Sequence, residues 1–328
     1  MSAITPDPIM KIAMGFMAAK HLFAASDIGL FEALAGGPAT VEEIAQRTGA
    51  PARTVAIAAA AMTSLGLIEQ GAGRYRNSAT AAAFLAGNPG PDLRPMLRFW
   101  DNISYPTWQK LGDALRSGEG QAQFGKFGPA QQQIFSAGVE AFSAPVAAAF
   151  AAAYDFSRHR KLLDVGGGTG SFLLAVLKRY PAMTGTLFEL PGACTVARQR
   201  LAKEAEGSRI DVVAGNVFEV PLPGDHDAVL VANVAHVFSA AHNVQLLRKI
   251  RATAPSGARL LLVDLWTDPT HSQPPAAALI SGEFLVIAGE GQAYSEQEAD
   301  DWLAQTQWRK VERKPLAGPA SLIVAEAA

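Results

Sequence analysis

Three polar side chains stand where predicted β-strands end, and their types suit proton transfer and ribose binding. Glu189 closes the run TGTLFEL, His236 follows the run DHDAVLVAN, and Asp264 lies near the end of ARLLLVDLW. A histidine can remove a proton from a hydroxyl at physiological pH, and a carboxylate that accepts its second N–H fixes the tautomer that does so. Because a lone histidine or buried acid is often structural, the catalytic interpretation of His236 and Asp264 requires a cofactor beside them.

The segment KLLDVGGGTG, residues 161–170, predicts a strand, a tight turn and the start of a helix. A dinucleotide fingerprint starting at Gly166 would have its third glycine where Ser171 stands, and no P-loop lysine follows. Glu189, at the end of the next strand, is placed to accept hydrogen bonds from both hydroxyls of a ribose. A ribose without phosphates indicates S-adenosylmethionine, although a simple turn closing a βα unit fits the glycines equally well.

Composition describes a globular chain without a general affinity for polyanions. The 328 residues are 49% hydrophobic and 18% charged, with a formal net charge of −2 and a pI of about 6.3. A single cysteine, Cys194, excludes an intrachain disulfide and a thiolate metal cluster, and we expect no metal. No secretory signal is recognised, and the longest small apolar run, AFSAPVAAAFAAA, is too short to span a bilayer. We therefore expect a cytoplasmic protein that binds neither nucleic acid nor membrane.

Strands and helices alternate after residue 160, which predicts an α/β fold with functional groups at the carboxyl ends of its strands. The expected architecture is a Rossmann-like methyltransferase domain preceded by a mainly α, winged-helix-like dimerisation domain. We place the dimerisation domain at 1–110, a helical connector lining the substrate pocket at 111–155, and the catalytic domain at 156–328.

The first part of the chain has the helix order of a winged helix, so DNA binding is an alternative to test. The helix that would enter the major groove, residues 51–65, carries Arg53 as its one charge and is otherwise rich in alanine. Duplex binding normally needs a basic footprint and polar side chains that read bases. An apolar, methionine-rich helix at 9–24 instead indicates a subunit interface, and we favour a homodimer.

Two further segments have a functional and a structural interpretation. Aromatic residues are dense between residues 84 and 135 and either line an apolar pocket or fill core. They are Phe99, Trp100, Tyr105, Trp108, Phe124, Phe127 and Phe135. After the third strand, Asn216 either bonds an adenine edge, with Val217 and Phe218 packed on the ring, or caps its own turn.

The chain resembles the dimeric, plant-type small-molecule O-methyltransferases and their bacterial natural-product relatives. The resemblance is carried by DVGGGTG at 164–170, FELP at 188–191, GNVF at 215–218 and AHVF at 235–238. It implies S-adenosyl-L-methionine as methyl donor, S-adenosyl-L-homocysteine as product, a small-molecule acceptor and a homodimer. The dense aromatic residues between 84 and 135 predict that this acceptor is a flat, mostly apolar, hydroxylated aromatic molecule. The resemblance also implies that the methyl group is displaced directly onto the acceptor while His236 removes the hydroxyl proton.

The resemblance assigns roles to individual residues. The catalytic pair is His236 and Asp264. The donor is expected to contact Asp164, Gly166, Gly168, Glu189, Leu190, Asn216, Val217, Phe218, Asn233 and Ser143. The substrate pocket is expected to contain Met14, Trp100, Tyr105, Trp108, Phe135, Val139, Phe238 and Phe284.

Some positions depart from the pattern of that family. Ala293 and Tyr294 stand where a glutamate and an arginine are usual, Val237 follows the histidine where an acid is usual, and Asn216 replaces an aspartate. These changes leave C- or N-methyl transfer open, as well as a cofactor-binding member that has lost transfer and acts in regulation.

Overall fold

The computed structural model describes residues 4–120 and 127–328, which form two compact units, Met1–Asn102 and Ile103–Ala328. The boundary at residue 110 and the separate connector at 111–155 stay predictions, and Phe124 lies outside the described residues. Each unit has its own buried core.

The first unit is mainly helical and contains one hairpin. Its helices and strands are α1 (Asp7–Ala13), α2 (Gly15–Asp27), α3 (Leu30–Ala33), α4 (Val41–Thr48), α5 (Ala52–Ser64), β1 (Ile68–Gly71), β2 (Arg74–Asn77), α6 (Ala79–Phe84) and α7 (Arg94–Phe99). Strands β1 and β2 pair antiparallel and form this hairpin. The core is closed by large apolar side chains that are fully buried, Leu30, Phe31, Ile44, Val55 and Met62 among them.

The helix predicted at 9–24 is two helices, because the chain breaks at Met14 immediately before Gly15. Glycine has the lowest helix propensity of any residue except proline, which explains a break at this point. Both helices leave apolar side chains in solvent. The exposed ones are Ile9, Met10, Ile12, Met14, Phe16 and Met17.

A seven-stranded sheet organises the second unit. Its strands are β3 (Lys161–Val165), β4 (Thr184–Glu189), β5 (Ile210–Ala214), β6 (Ala228–Ala232), β7 (Arg259–Leu265), β8 (Trp308–Pro315) and β9 (Ala320–Ala327). The strand order is β5-β4-β3-β6-β7-β9-β8, with β9 antiparallel to both of its neighbours. The predicted Rossmann-like α/β domain with an N-terminal, mainly helical domain is therefore confirmed.

The second unit also contains eight α-helices within the residues that the structure describes. They are α8 (Tyr105–Trp108), α9 (Leu111–Ser117), α10 (Pro129–Ala153), α11 (Ser171–Arg179), α12 (Pro191–Leu201), α13 (Ala240–Thr253), α14 (Pro275–Glu283) and α15 (Glu296–Gln305). Buried residues of α10 and α11 pack on one face of the sheet, and those of α13 and α15 pack on the other. The sequence did not predict α14, which continues into a π-helical turn at Phe284–Ala288. This segment is almost uniformly apolar, so it lacks the periodicity from which an amphipathic helix is recognised.

Helix α10 begins twelve residues before the 13-residue apolar run AFSAPVAAAFAAA and ends with it. By length and composition it could cross a membrane, a test that core helices of soluble proteins also pass. Its side chains Val146, Ala147, Phe150 and Ala151 are buried in the same core cluster as Phe172 of α11. This packing fixes one face of α10 beside the turn that follows β3.

Candidate active site

A cavity of about 420 Å³ opens at the carboxyl ends of β3, β4 and β6. Parallel strands bring their carboxyl ends to one edge of a sheet, which is where open α/β sheets bind ligands. The cavity is lined by the glycine turn, one face of α10 and the segments that follow β4, β5 and β6. Its lining combines apolar rings with a few polar groups, as is usual for small-molecule sites.

The glycine turn is tight because its backbone enters the left-handed region three times. Gly166, Gly168 and Gly170 have φ angles of 71°, 56° and 89°, and this conformation costs residues with a Cβ atom about 1–2 kcal/mol. Gly167 meets a different constraint, since a Cβ atom there would lie 2.6 Å from the Asp164 carboxyl carbon. The turn is therefore folded around Asp164, the next-to-last residue of β3.

Asp164 is fully buried beneath this turn and does not line the cavity. Both of its carboxyl oxygens are without hydrogen-bond partners among the described residues. Burial, with a smaller contribution from the charge of Glu189, raises the pKa of Asp164 to about 8. A buried acid without donors is stabilised by any cation that binds above the turn.

Glu189 reaches from the end of β4 toward the same turn. Its Oε2 accepts a hydrogen bond of 3.0 Å from the Gly168 N–H, and its Oε1 accepts one of 2.6 Å from the Leu190 N–H. Burial raises the pKa of Glu189, while these two donors lower it. The carboxylate is thus held in place at the cavity wall with lone pairs remaining for hydroxyl donors.

In the segment after β5, the side-chain amide of Asn216 forms hydrogen bonds within its own turn. Asn216 Oδ1 accepts a hydrogen bond of 3.0 Å from the Phe218 N–H, and its Nδ2 donates one of 2.9 Å to Glu219. The side chain therefore caps its own turn, which is one of the two interpretations left open by the sequence. Val217 and Phe218 line the cavity beside it.

His236 and Asp264 meet between β6 and β7. Nδ1 of His236 lies 2.6 Å from Oδ1 of Asp264, and the His236 backbone N–H donates to Oδ2 at 3.3 Å. The aspartate also accepts a hydrogen bond from the Leu265 N–H at 2.7 Å. A neutral imidazole that donates from Nδ1 has a free lone pair on Nε2, the arrangement of a general base held by a carboxylate.

Phe284 covers one face of this imidazole. The two ring centroids are 3.8 Å apart and the ring planes are inclined by 14°. The His236 side chain is only 12% exposed. Stacking and the bond to Asp264 together leave the ring little freedom to rotate.

A second carboxylate, that of Glu283, belongs to the residue immediately before Phe284 in the sequence. Glu283 accepts hydrogen bonds from the Ser104 hydroxyl and the Trp108 indole N–H. Burial raises the pKa of Glu283, and the two donors oppose that rise. The indole approaches α14 at Gly282, where a Cβ atom would lie 2.8 Å from the ring.

Apart from Asp164, which is buried beneath the turn, the predicted site residues fall into three groups. Those lining the cavity are Gly166, Gly168, Glu189, Leu190, Asn216, Val217, Phe218, Asn233, Ser143, Phe135, Val139 and Phe238. Those in or next to the histidine cluster are His236, Asp264, Phe284 and Trp108. Met14 and Trp100 belong to the first unit. Tyr105 is the first residue of α8, the helix that ends at Trp108.

Four charged residues of this region were not predicted from the sequence. Glu140 and Glu290 line the cavity, Arg200 binds Glu140, and Glu283 binds Trp108. Glu140 had one available signal, because it is the sole charged residue in the sequence of α10.

The comparisons with known proteins agree with this geometry. Residues 108–309 match the O-methyltransferase domain family, and residues 10–87 match the O-methyltransferase dimerisation domain family. The 3-hydroxy-5-methyl-1-naphthoate 3-O-methyltransferase of Streptomyces sahachiroi is 35% identical over 96% of this chain and 93% of its own. The phenazine O-methyltransferase PhzM of Lysobacter antibioticus is 27% identical over 90% of this chain and 87% of its own.

Two solved structures superpose over nearly the full length. PigF with SAH has a TM-score of 0.88 and 32% identity, covering 98% of this chain and 100% of that chain. Human N-acetylserotonin methyltransferase in complex with SAM has a TM-score of 0.90 and 25% identity, covering 100% and 99%. The resemblance inferred from DVGGGTG, FELP, GNVF and AHVF is thereby confirmed.

Proposed function

The chain belongs to the family of S-adenosylmethionine-dependent O-methyltransferases that carry an N-terminal dimerisation domain, and from this premise we propose that His236 is its general base. The observation that carries the proposal is the 2.6 Å contact between His236 Nδ1 and Asp264. It directs the remaining lone pair of the imidazole, on Nε2, away from the aspartate. The acceptor's hydroxyl proton is removed by that nitrogen.

The chemistry of the cavity lining supports the methyl donor as its ligand. Glu189 offers a fixed carboxylate to the ribose hydroxyls. No atom lies within 4 Å of a Cβ placed on Gly168, which leaves the backbone there open to close approach, and buried Asp164 favours a cation above the turn. When bound, S-adenosylmethionine supplies an electrophilic methyl group on a sulfonium centre. Leu190, Asn216, Val217, Phe218, Asn233 and Ser143 complete the proposed donor contacts.

The residues of this chain contribute orientation and proton transfer. Asp264 keeps the imidazole in one tautomer and stabilises the positive charge that develops when His236 takes the proton. Phe284 holds the ring plane and excludes water from one face. General base catalysis of this kind contributes roughly 10²–10⁴-fold to the rate.

We propose a small, flat, hydroxylated aromatic molecule as the acceptor. Phe135, Val139 and Phe238 give the cavity apolar walls, and rings of this kind favour stacked or edge-to-face contact with an aromatic ligand. The names of two relatives, a naphthoate and a phenazine methyltransferase, support the same class. Trp108, Tyr105 and Phe284 belong to the proposed acceptor side. Met14, on the N-terminal helices, is proposed to enter the site of a partner subunit, and Trp100 stays a predicted pocket residue.

Turnover of a His236→Ala variant tests this proposal. Methyl transfer from labelled S-adenosylmethionine to a library of phenols and hydroxynaphthoates should fall by roughly 10²-fold or more, while calorimetric binding of S-adenosylhomocysteine stays close to that of the unmodified protein. The control is His271→Asn, an exposed histidine with a φ of 58°, a conformation that asparagine tolerates. Unchanged turnover in the alanine variant would exclude His236 as the base.

A further inference from the structure

Helix α10 presents a polar stripe to the cavity although its sequence is mostly apolar. Gln132, Ser136 and Glu140 follow one another at intervals of four residues, which places them on one face of the helix. All three line the cavity, and Gln132 donates a hydrogen bond of 3.1 Å to the Ser136 hydroxyl. A charged side chain in such a helix has a substantial desolvation cost unless it has partners.

Glu140 has those partners, and all of them bind one of its two oxygens. Its Oε2 accepts hydrogen bonds from the Thr169 hydroxyl at 2.9 Å, from the Ser171 hydroxyl, and from Nη1 of Arg200 at 2.5 Å. Nη1 of Arg200 also lies 2.7 Å from each of the two hydroxyl oxygens. Within residues 4–120 and 127–328, none of the hydrogen bonds to Glu140 involves Oε1.

The position of this cluster distinguishes it from the other acids of the cavity. Glu189 is held by the N–H groups of Gly168 and Leu190 at the end of β4, where the ribose is proposed to bind. Glu290 pairs with His242 at 2.7 Å. Glu140 is the cavity-lining acid bound to Thr169, within the glycine turn, and to the first residue of α11.

S-adenosylmethionine carries two features that attract carboxylates, a ribose diol and an α-ammonium group on its amino-acid end. Glu189, at the end of β4, suits the ribose diol, and Glu140, beside the glycine turn, suits the ammonium group. Arg200 does not line the cavity, so its role is to hold Oε2 and compensate part of the glutamate charge.

We propose that Glu140 binds the α-ammonium group of the methyl donor through Oε1, in a carboxylate held by Arg200, Thr169 and Ser171. The inference rests on the donor site proposed above. A charge-assisted hydrogen bond in a partly buried site contributes more than a neutral one. The contact also joins α10, which carries Phe135 and Val139, to the donor, so that donor binding fixes one wall of the acceptor pocket.

A ligand-side comparison tests this contact. The binding of S-adenosylhomocysteine and of its analogue lacking the α-amino group is measured by calorimetry for the unmodified chain and for Glu140→Gln. We expect the amide to weaken S-adenosylhomocysteine binding by roughly tenfold or more and to leave the deaminated analogue within about twofold. Arg200 strengthens this selectivity, because without the glutamate charge it repels an ammonium group.

Three results would contradict the proposal: equal losses for both ligands, which indicate a purely structural role; no loss for either; and a larger loss for the analogue. Glu69→Gln, which removes the charge of an exposed ion pair with Arg76 in the first unit, is the control for a general charge effect. If Glu140→Gln does not fold, Glu140→Asp replaces it, retaining the charge but shortening its reach, and the same selective loss is expected at smaller size. Failure of the unmodified chain to bind S-adenosylhomocysteine would instead contradict the donor site itself.

Discussion

The orientation of His236 depends on an aspartate that accepts three N–H groups. Asp264 binds the imidazole Nδ1, the His236 backbone and the Leu265 backbone, and it is only 2% exposed. Because these three donors hold both of its oxygens, the carboxylate cannot turn without losing several hydrogen bonds at once. This makes Asp264 a fixed reference for the proposed base.

Replacing Asp264 with asparagine should therefore change the tautomer of His236 while nearly preserving shape. The amide presents an N–H where the carboxylate presented an oxygen, so the imidazole lone pair turns to Nδ1 and Nε2 becomes a donor. A comparable substitution in serine proteases lowers kcat by about 10⁴, and we expect a loss of roughly 10²–10⁴-fold here. The rate constant for methyl transfer and the affinity for S-adenosylhomocysteine are measured side by side.

Asp211→Asn, at an exposed position of β5, is the matched control and should leave both quantities unchanged. A parallel loss of S-adenosylhomocysteine affinity in Asp264→Asn would show that the aspartate supports the donor site and not the base.

At the level of elements, the turn after β3 shows why four of its residues are glycine. Three of them adopt positive φ, whereas Gly167 makes room for the carboxyl group of Asp164. The turn thus meets a conformational requirement and a steric requirement within one short loop. The two requirements have different energetic consequences when a methyl group is added.

Gly167→Ala should disturb the donor site directly, since its Cβ atom would overlap the Asp164 carboxyl group. We expect a loss of stability of about 1–3 kcal/mol, the usual cost of overpacking, and a loss of roughly tenfold in S-adenosylhomocysteine affinity. Gly49→Ala is the control, because Gly49 has a φ of 72° in the first unit and no atom near its added Cβ. That variant should lose about 1–2 kcal/mol of stability with no change in affinity, as measured by denaturant unfolding and calorimetry.

For the whole molecule, buried histidines make stability depend on pH. His226 is 2% exposed, its Nε2 lies 2.9 Å from the Thr186 hydroxyl, and burial lowers the pKa of His226 below the usual value. The unfolded chain, with a histidine pKa of about 6.5, therefore takes up a proton that the folded chain does not. Stability is retained above that pH and falls as the pH drops through it toward the lowered folded value.

The free energy of unfolding, measured from pH 7.5 to pH 5, should decrease toward acid, and His226→Gln should flatten this slope. Thr186→Val is the matched control, because it removes the hydroxyl but keeps the buried imidazole and therefore the slope. A His226→Gln variant with the slope of the unmodified chain would assign the effect to other groups, such as His159, whose pKa burial also lowers.

The dimerisation domain implies a homodimer, and α1 and α2 offer the exposed apolar surface to form one. Ile12 is 81% exposed and Phe16 is 54% exposed. Changing both to glutamate should convert the dimer to a monomer, because two buried charges would replace apolar contacts. Light scattering after gel filtration measures the mass, with Leu115→Glu, at a 68% exposed position of α9, as control.

The sequence was sufficient to predict which side chains lie together at the ends of strands. It was insufficient to predict which side chains the packing of helices brings together. Glu189, His236 and Asp264 were predictable, because adjacent parallel strands must end at one edge of the sheet. Glu140 and Arg200 are far apart in sequence and meet only because α10 packs against the glycine turn. Helix α14 was missed since its apolar sequence has no periodicity, and the internal hydrogen bonds of Asn216 depend on a turn geometry that residue types alone do not specify.

Cys194 offers a view of motion at the donor site. The thiol is buried in α12 and donates to the Glu189 carbonyl at 3.3 Å, and burial raises the pKa of Cys194. A thiol-specific reagent can therefore reach it only when α12 separates from the end of β4. The labelling rate would measure how often this local opening occurs, and saturating S-adenosylhomocysteine should slow it. The single cysteine of the chain is therefore a probe of local opening beside the proposed donor site.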